Sequence, residues 1–537
     1  MDLYDFIVIG SGPAGQKAAI QTAKLGKKAA IIERRAIVGG VSVHTGTMPS
    51  KTLREAVLYL TGWNQRGLYG YGYRLKPDLT IDDLMQRLHV TLQHEIEVIQ
   101  DQLERNGVEV IKGVASFVDQ HRLQVQSSTG DLLEYETDKI LIATGTRPRR
   151  PDVVPFDDVT IIDSDGLLQL KRIPKSMIIV GGGVIGVEYA SIFSVLDVHI
   201  TLVEGRSTLL DFLDREIVDE FVHYMREQGV TLRLGEKVGT IELDSGGYVT
   251  TTLESGKRLR ADLLLYTAGR MGNTSELRLE NAGLAADDHG CIAVNEHFQT
   301  QVPHIYAAGD VIGFPSLAST SMEQGRLAAC HAFDHPASSK PAHFPFGIYG
   351  VPEMSMVGST EQELTEKKVP YEVGVAHLWE TARGQIMGLK GGLLKILFGQ
   401  EDQRVLGVHI IGEGAAELIH IGQASLVLGG TLNYYLESVF NYPTLAEAYK
   451  VAALDAWNRL SAYIRVEPEL GKRRAKMVSG NSKDVVVTDI RMPFGSMVVF
   501  MVKWAIAAIP ALVILTGIWW ITVALFGGMG MMVGMGR

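Results

Sequence analysis

Cysteine is nearly absent from this chain: Cys291 and Cys330 are the two among 537 residues, far apart and outside any CxxC spacing. That excludes a disulfide framework and a cysteine zinc site, and it fits a reducing compartment. An excess of positive charge is missing too. With 51 Lys and Arg against 61 Asp and Glu, the formal net charge is -10, the wrong sign for a protein held on nucleic acid by phosphate contacts, so no nucleic-acid partner is expected. The opening run MDLYDFIVIG lacks the basic flank and cleavage region of a secretory signal. It reads instead as an apolar strand entering a glycine turn. Charge of either sign is missing from Trp504 to Phe526, and about 23 apolar residues cover a hydrocarbon core of roughly 30 Å.

That last absence predicts one C-terminal transmembrane helix over 497–526, with Trp519, Trp520 and Lys503 as interfacial anchors. Lys472, Arg473, Arg474, Lys476, Lys483, Arg491 and Lys503 precede the run and only Arg537 follows it. The positive-inside rule then predicts a single-pass C-terminal membrane anchor with the remaining domains in the cytoplasm.

What is present is hydrophobic residues (46%) sufficient for several cores, a length that allows about three to four domains, and 58 glycines. The glycines cluster at strand ends, which points to phosphate-binding turns. Two segments share one plan. Phe6-Ile-Val-Ile-Gly10-Ser-Gly12-Pro-Ala-Gly15 leads to Ala29-Ala-Ile-Ile-Glu33, and Met177-Ile-Ile-Val-Gly181-Gly-Gly183-Val-Ile-Gly186 leads to Ile200-Thr-Leu-Val-Glu204. In each, the first glycine permits the tight turn, the second lets backbone approach a pyrophosphate, and the third lets helix pack on strand. The acid about 20 residues on is placed to meet a ribose hydroxyl. A lone glycine fingerprint is weak; two copies, each after a β-rich run and before a helical pattern, predict two Rossmann-like dinucleotide domains in an α/β fold.

Leu141-Ile-Ala-Thr144-Gly145 and Leu265-Tyr-Thr-Ala268-Gly269-Arg270 read as exits of the two units, and His304-Ile-Tyr-Ala-Ala-Gly309-Asp310 as a further strand ending in an acid. From about Phe344 onward no glycine fingerprint occurs. Leu393–Phe398 and Val405–Ile411 read as strands alternating with amphipathic helices, a separate α+β unit. The expected domains are 1–150 and 273–343 for one dinucleotide, 151–272 for the other, 344–466 for the α+β unit, a basic linker over 467–496, the apolar span 497–526 and a Gly/Met-rich tail over 527–537. At the second nucleotide turn, Glu204 favours a free ribose 2′-hydroxyl while Arg206 could meet a 2′-phosphate. NAD alone, or both NAD and NADP, stay open there.

This order of motifs resembles the flavoprotein pyridine nucleotide-disulfide oxidoreductases over roughly residues 1–466. Gly39-Gly-Val-Ser-Val-His-Thr-Gly-Thr-Met-Pro-Ser-Lys51 aligns with that family's redox motif GGxCxxxGCxPSK, so its two cysteines fall at Ser42 and Thr47. A hydroxyl forms neither a disulfide nor a thiolate, and reduction of disulfide substrates through this site is excluded. The family's acid/base histidine falls at Tyr442 in Tyr442-Pro-Thr-Leu-Ala-Glu447, and a phenol with a pKa near 10 suits thiol deprotonation poorly. Both halves of the dithiol chemistry are therefore missing together, which resembles the branch of the family that moves hydride between NADPH and NAD.

The resemblance implies FAD as cofactor, NAD and NADP as substrates, and a homodimer built through the α+β unit. It implies that Lys51 and Glu188 pair beside the flavin ring, that Glu33 binds the adenosine ribose of FAD and that Asp310 binds its ribitol. Gly40, Ser42, Thr47, Thr144, Gly145, Gly269 and Ala318 are implied as cofactor-binding positions. Two other classes stay open at this point. One is a membrane-tethered NAD(P)H dehydrogenase passing electrons to a quinone or membrane redox partner; the other is a non-catalytic nucleotide-binding subunit.

Overall fold

The Leu3–Ile9 strand, buried on both faces from Phe6 to Ile9, enters the first glycine turn at a residue free to take a positive φ, Gly10 at +107°. In this computed structural model, which describes residues 3–70, 72–337 and 343–466, that strand lies in the middle of a seven-stranded sheet. Ala29–Glu33 and Glu109–Lys112 continue it in parallel on one side. Leu132–Ile142 pairs with it in parallel on the other, with Phe6 opposite Lys139 and Ile9 opposite Ile142. Val114–Phe117 and Arg122–Gln126 extend that side as an antiparallel meander.

Successive side chains of a strand point to opposite faces, and both faces are covered. Phe6 and Val8 enter a core with Ala18, Ala19 and Ala328, while Ile7 and Ile9 enter another with Phe117, Leu123 and Ile305. The chain returns to this sheet late: Ile305–Ala307 pairs in parallel with Leu132–Ile142, and the Ala318–Ala332 helix packs against the Pro13–Lys24 helix. The two helices approach closely because Gly325 carries no side chain; a methyl group there would overlap the Ala14 carbonyl oxygen.

A second sheet repeats the plan with five parallel strands in the order Thr231–Leu234, His199–Glu204, Ser176–Val180, Leu263–Tyr266, Ile161–Asp163. Met177 and Ile179 face one core and Ile178 and Val180 another, as expected of a strand covered on both sides. A three-stranded antiparallel sheet, Val238–Leu243, Val249–Leu253 and Arg258–Ala261, follows from it.

The third large sheet is antiparallel throughout, in the order Phe346–Ile348, Met354–Gly358, Val405–Ile411, Leu393–Gly399, Tyr371–His377. It contains both strands expected in this region. The Ala415–Val427 and Glu447–Val466 helices cover it. The whole is a mixed α/β fold.

Among the described residues no helix is long and apolar enough to cross a membrane. The expected linker, span and tail, 467–496, 497–526 and 527–537, lie outside the described residues.

Candidate dinucleotide sites

The turn after the first strand opens onto a cavity of about 1150 Å³. Gly10 and Gly12 line it, whereas Gly15 sits beneath, where a methyl group would overlap the Gly10 carbonyl oxygen. A methyl group at Gly12 would meet nothing within 4 Å, so backbone is bared to the cavity at the N-cap of the Pro13–Lys24 helix. That end carries partial positive charge from unpaired N–H groups and suits a phosphate. Glu33, 5% exposed, is held over the turn: it accepts from the Ser11 N–H at 3.0 Å, the Ser11 hydroxyl at 2.5 Å and the Arg35 N–H at 2.8 Å.

The same geometry recurs at the second turn. Glu204 accepts from the Gly182 N–H at 2.7 Å and the Arg206 N–H at 2.9 Å, and Gly186 sits beneath Gly181 as Gly15 does beneath Gly10. A second cavity of about 350 Å³ lies there, lined by Gly181, Gly183, Glu204, Arg206 and Gly269 among others. Burial by itself would raise the Glu204 carboxyl, but hydrogen bonds from Arg206 and Gly182 outweigh it and hold the group below the usual range.

Lys51 and Glu188, 137 residues apart, meet in the larger cavity. The Lys51 ammonium donates to both carboxylate oxygens, at 2.9 Å and 2.7 Å. The Glu188 side chain is 4% exposed and that of Lys51 27%, so the pair is drawn from the protein interior towards the cavity. A third group completes it: the Tyr349 N–H donates to Glu188 at 2.8 Å, and the Tyr349 ring lies 5.0 Å from the Lys51 nitrogen. Ser42 on the short Gly40–His44 helix and Thr47 at the start of the Thr47–Leu60 helix line the same cavity, with Gly40, Thr144, Gly145, Asp310 and Ala318. Among the described residues no cysteine lines it.

Asp310 accepts from the Thr146 hydroxyl at 3.3 Å; burial raises its carboxyl, opposed by the nearby Arg270. Sequence reasoning missed three contributors. Tyr349 acts mainly through its backbone and belongs to no motif. Arg270, which donates to the Thr146 hydroxyl at 2.8 Å, follows Gly269 directly, and a cation next to a glycine exit was the signal available. Lys237, in the wall of the second cavity, comes from a turn with no glycine fingerprint. Of the predicted positions, Gly15 and Gly186 line neither cavity.

Two strand–turn–helix units, each with an acid closed over its glycine turn, and an ion pair in the cavity at the first of them define a protein built around two dinucleotides. The chain belongs to the pyridine nucleotide-disulphide oxidoreductase family, which it matches over residues 4–325, with the family's dimerisation domain over residues 344–453. A protein named soluble pyridine nucleotide transhydrogenase from Mycobacterium bovis (strain BCG / Pasteur 1173P2) is 53% identical over 460 residues, 86% of this chain and 98% of its own length. One of the same name from Colwellia psychrerythraea is 47% identical over 461 residues, 85% of this chain and 98% of its own. Among solved structures, the HOCl-induced flavoprotein disulfide reductase RclA from Escherichia coli is 28% identical with a TM-score of 0.75, covering 84% of this chain and 99% of that one. LpdA from Mycobacterium tuberculosis is 26% identical with a TM-score of 0.78 over the same shares.

These relatives correct the expectation of a membrane-anchored protein. Proteins named soluble match over nearly their whole length. The physical reason lies in the criterion: length and lack of charge are properties of a segment alone and carry no information about what covers it. The same finding overturns the membrane redox partner and the membrane-tethered dehydrogenase.

The residues present fit FAD. The bared turn at Gly12 suits its pyrophosphate, and the carboxylates of Glu33 and Asp310, which line the same cavity, suit its hydroxyls. The Thr144 hydroxyl is buried with no partner among the described residues and lines the same cavity.

Proposed function

We propose that this chain transfers hydride between NADPH and NAD by an FAD-dependent, ping-pong route that uses no redox disulfide, as the name of its relatives suggests. FAD, when bound, supplies at its N5 position an acceptor for hydride from one nicotinamide and a donor to the next. One observation carries the reading: the larger cavity holds the Lys51–Glu188 pair and hydroxyls at Ser42 and Thr47, with no thiol among its described lining. A charge is thereby held beside the reacting ring while the dithiol route is closed.

In this reading Lys51 and Glu188 fix the charge next to the ring. Glu33 and Asp310 hold FAD by its hydroxyls, and Gly40, Ser42, Thr47, Thr144, Gly145 and Ala318 shape the walls around it. Glu204, Arg206 and Gly269 receive the adenosine end of the exchanging nucleotide. Segments 1–150 and 273–343 form the FAD unit, 151–272 the NAD(P) unit and 344–466 the dimerisation unit of a homodimer. The test is purified holoenzyme with NADPH and thio-NAD. Steady thio-NADH formation with no added disulfide is expected; a flavin-loaded enzyme that forms none contradicts the reading.

A further inference from the structure

The second cavity carries paired charges that suit a site visited by two different nucleotides. Glu204, 9% exposed, is saturated by its own chain. Besides the Gly182 and Arg206 N–H groups, it accepts from Arg206 Nε at 3.1 Å and Nη2 at 3.3 Å. Arg206 Nη1 reaches on to Asp211 at 2.9 Å. A carboxylate paired in this way repels a 2′-phosphate far less than a bare one. The side chains of Arg206 and Asp211 are 45% and 56% exposed, and ion pairs so open to water hold weakly. The guanidinium is therefore able to leave Asp211.

A second cation stands close by. The Gly235 N–H donates to the Arg206 carbonyl at 2.8 Å and the Glu236 N–H to the Glu204 carbonyl at 3.1 Å, which ties the next turn to the end of the acidic strand. Lys237, exposed, projects from that turn beside Gly205 and lines the cavity. Glu236 lines it too, with its carboxylate accepting from the Ser255 hydroxyl at 2.9 Å.

We propose that Arg206 and Lys237 together receive the 2′-phosphate of NADP(H), and that Asp211 draws the Arg206 guanidinium aside when the nucleotide is NAD(H), leaving Glu204 to the ribose hydroxyls. The arrangement rests on the transhydrogenase reading, because it requires both nucleotides in one cavity. Arg supplies the planar, multi-donor contact that a phosphate favours and Lys a point charge.

The test is calorimetric titration of holoenzyme with NADP+ and with NAD+, beside stopped-flow flavin reduction by NADPH and by NADH. In Lys237→Ala the ratio of NADP+ to NAD+ affinity falls about tenfold, and Lys237→Arg restores most of it. In Asp211→Asn the ratio rises severalfold, because the guanidinium loses its resting partner. Ratios unchanged in both Lys237→Ala and Asp211→Asn overturn the proposal. Failure of either nucleotide to reduce the flavin of the parent enzyme would instead defeat the hydride-transfer reading, and the affinity ratios would still decide the subsite.

Discussion

Glu188 is nearly sealed from water, and its charge is tolerated because Lys51 and the Tyr349 N–H supply three donors between them. Removing one partner of such a pair leaves the other uncompensated, which costs far more than breaking an exposed pair. Lys51→Met is therefore expected to slow flavin reduction by NADPH at least about tenfold while FAD stays bound; stopped-flow rates equal to the parent's would remove Lys51 from the mechanism. His409 makes a different point. It is fully buried, its Nε2–H donates to the Ser359 carbonyl at 2.9 Å, and burial pushes its pKa down, with Asp214 opposing and Lys395 assisting. A base with a depressed folded pKa stabilises above its unfolded value and loses that contribution as pH falls. The stability difference between the parent and His409→Gln should be constant above about pH 7 and shrink by up to about 1.4 kcal/mol per unit below about pH 6.5. Urea unfolding across that range checks it, and a flat difference would show that burial leaves the titration of His409 the same in the folded and unfolded chain.

At the scale of elements, one buried lysine ties two units together. Lys395, on the Leu393–Gly399 strand, is fully buried and donates to Asp214 at 2.9 Å, the N-cap of the Arg215–Glu227 helix; it also pairs with Glu216 at 2.8 Å and with Glu361. Lys395→Met would strand Asp214 without its counter-charge, a loss of about 3–5 kcal/mol on denaturant unfolding, and Lys395→Met with Asp214→Asn should recover part of it. A single-variant loss under about 1 kcal/mol would show that the charges are satisfied otherwise. This knot was invisible in the sequence because Lys395 and Asp214 lie 181 residues apart in a chain that gives neither a motif. The glycine turns were legible because strand, turn, helix and acid fall within one local unit: Glu33 and Glu204 each lie 22 residues from the turn residue, Ser11 or Gly182, whose N–H they accept. Lys51 and Glu188 were reachable only through family resemblance, and Tyr349 not even so, since a backbone N–H leaves no mark in the residue pattern.

Across the whole molecule, two similar dinucleotide units face different tasks. The larger cavity is lined by buried acids and a bared turn, while the smaller one sits at an acid paired with a half-exposed arginine. Such a division suits an enzyme that keeps one nucleotide and exchanges others. The tail shows where sequence reasoning failed: an uncharged run satisfied the length rule for a membrane span, and relatives named soluble set that conclusion aside. Reducing equivalents pass from one nicotinamide to another with no dithiol in between. Anaerobic titration of the holoenzyme with NADPH, followed by addition of NAD+, tests it most directly. Uptake of two electrons per FAD, no long-wavelength thiolate charge-transfer band, and full reoxidation by NAD+ are expected; uptake of four electrons per FAD with that band, or a reduced enzyme that NAD+ leaves untouched, would rule this route out.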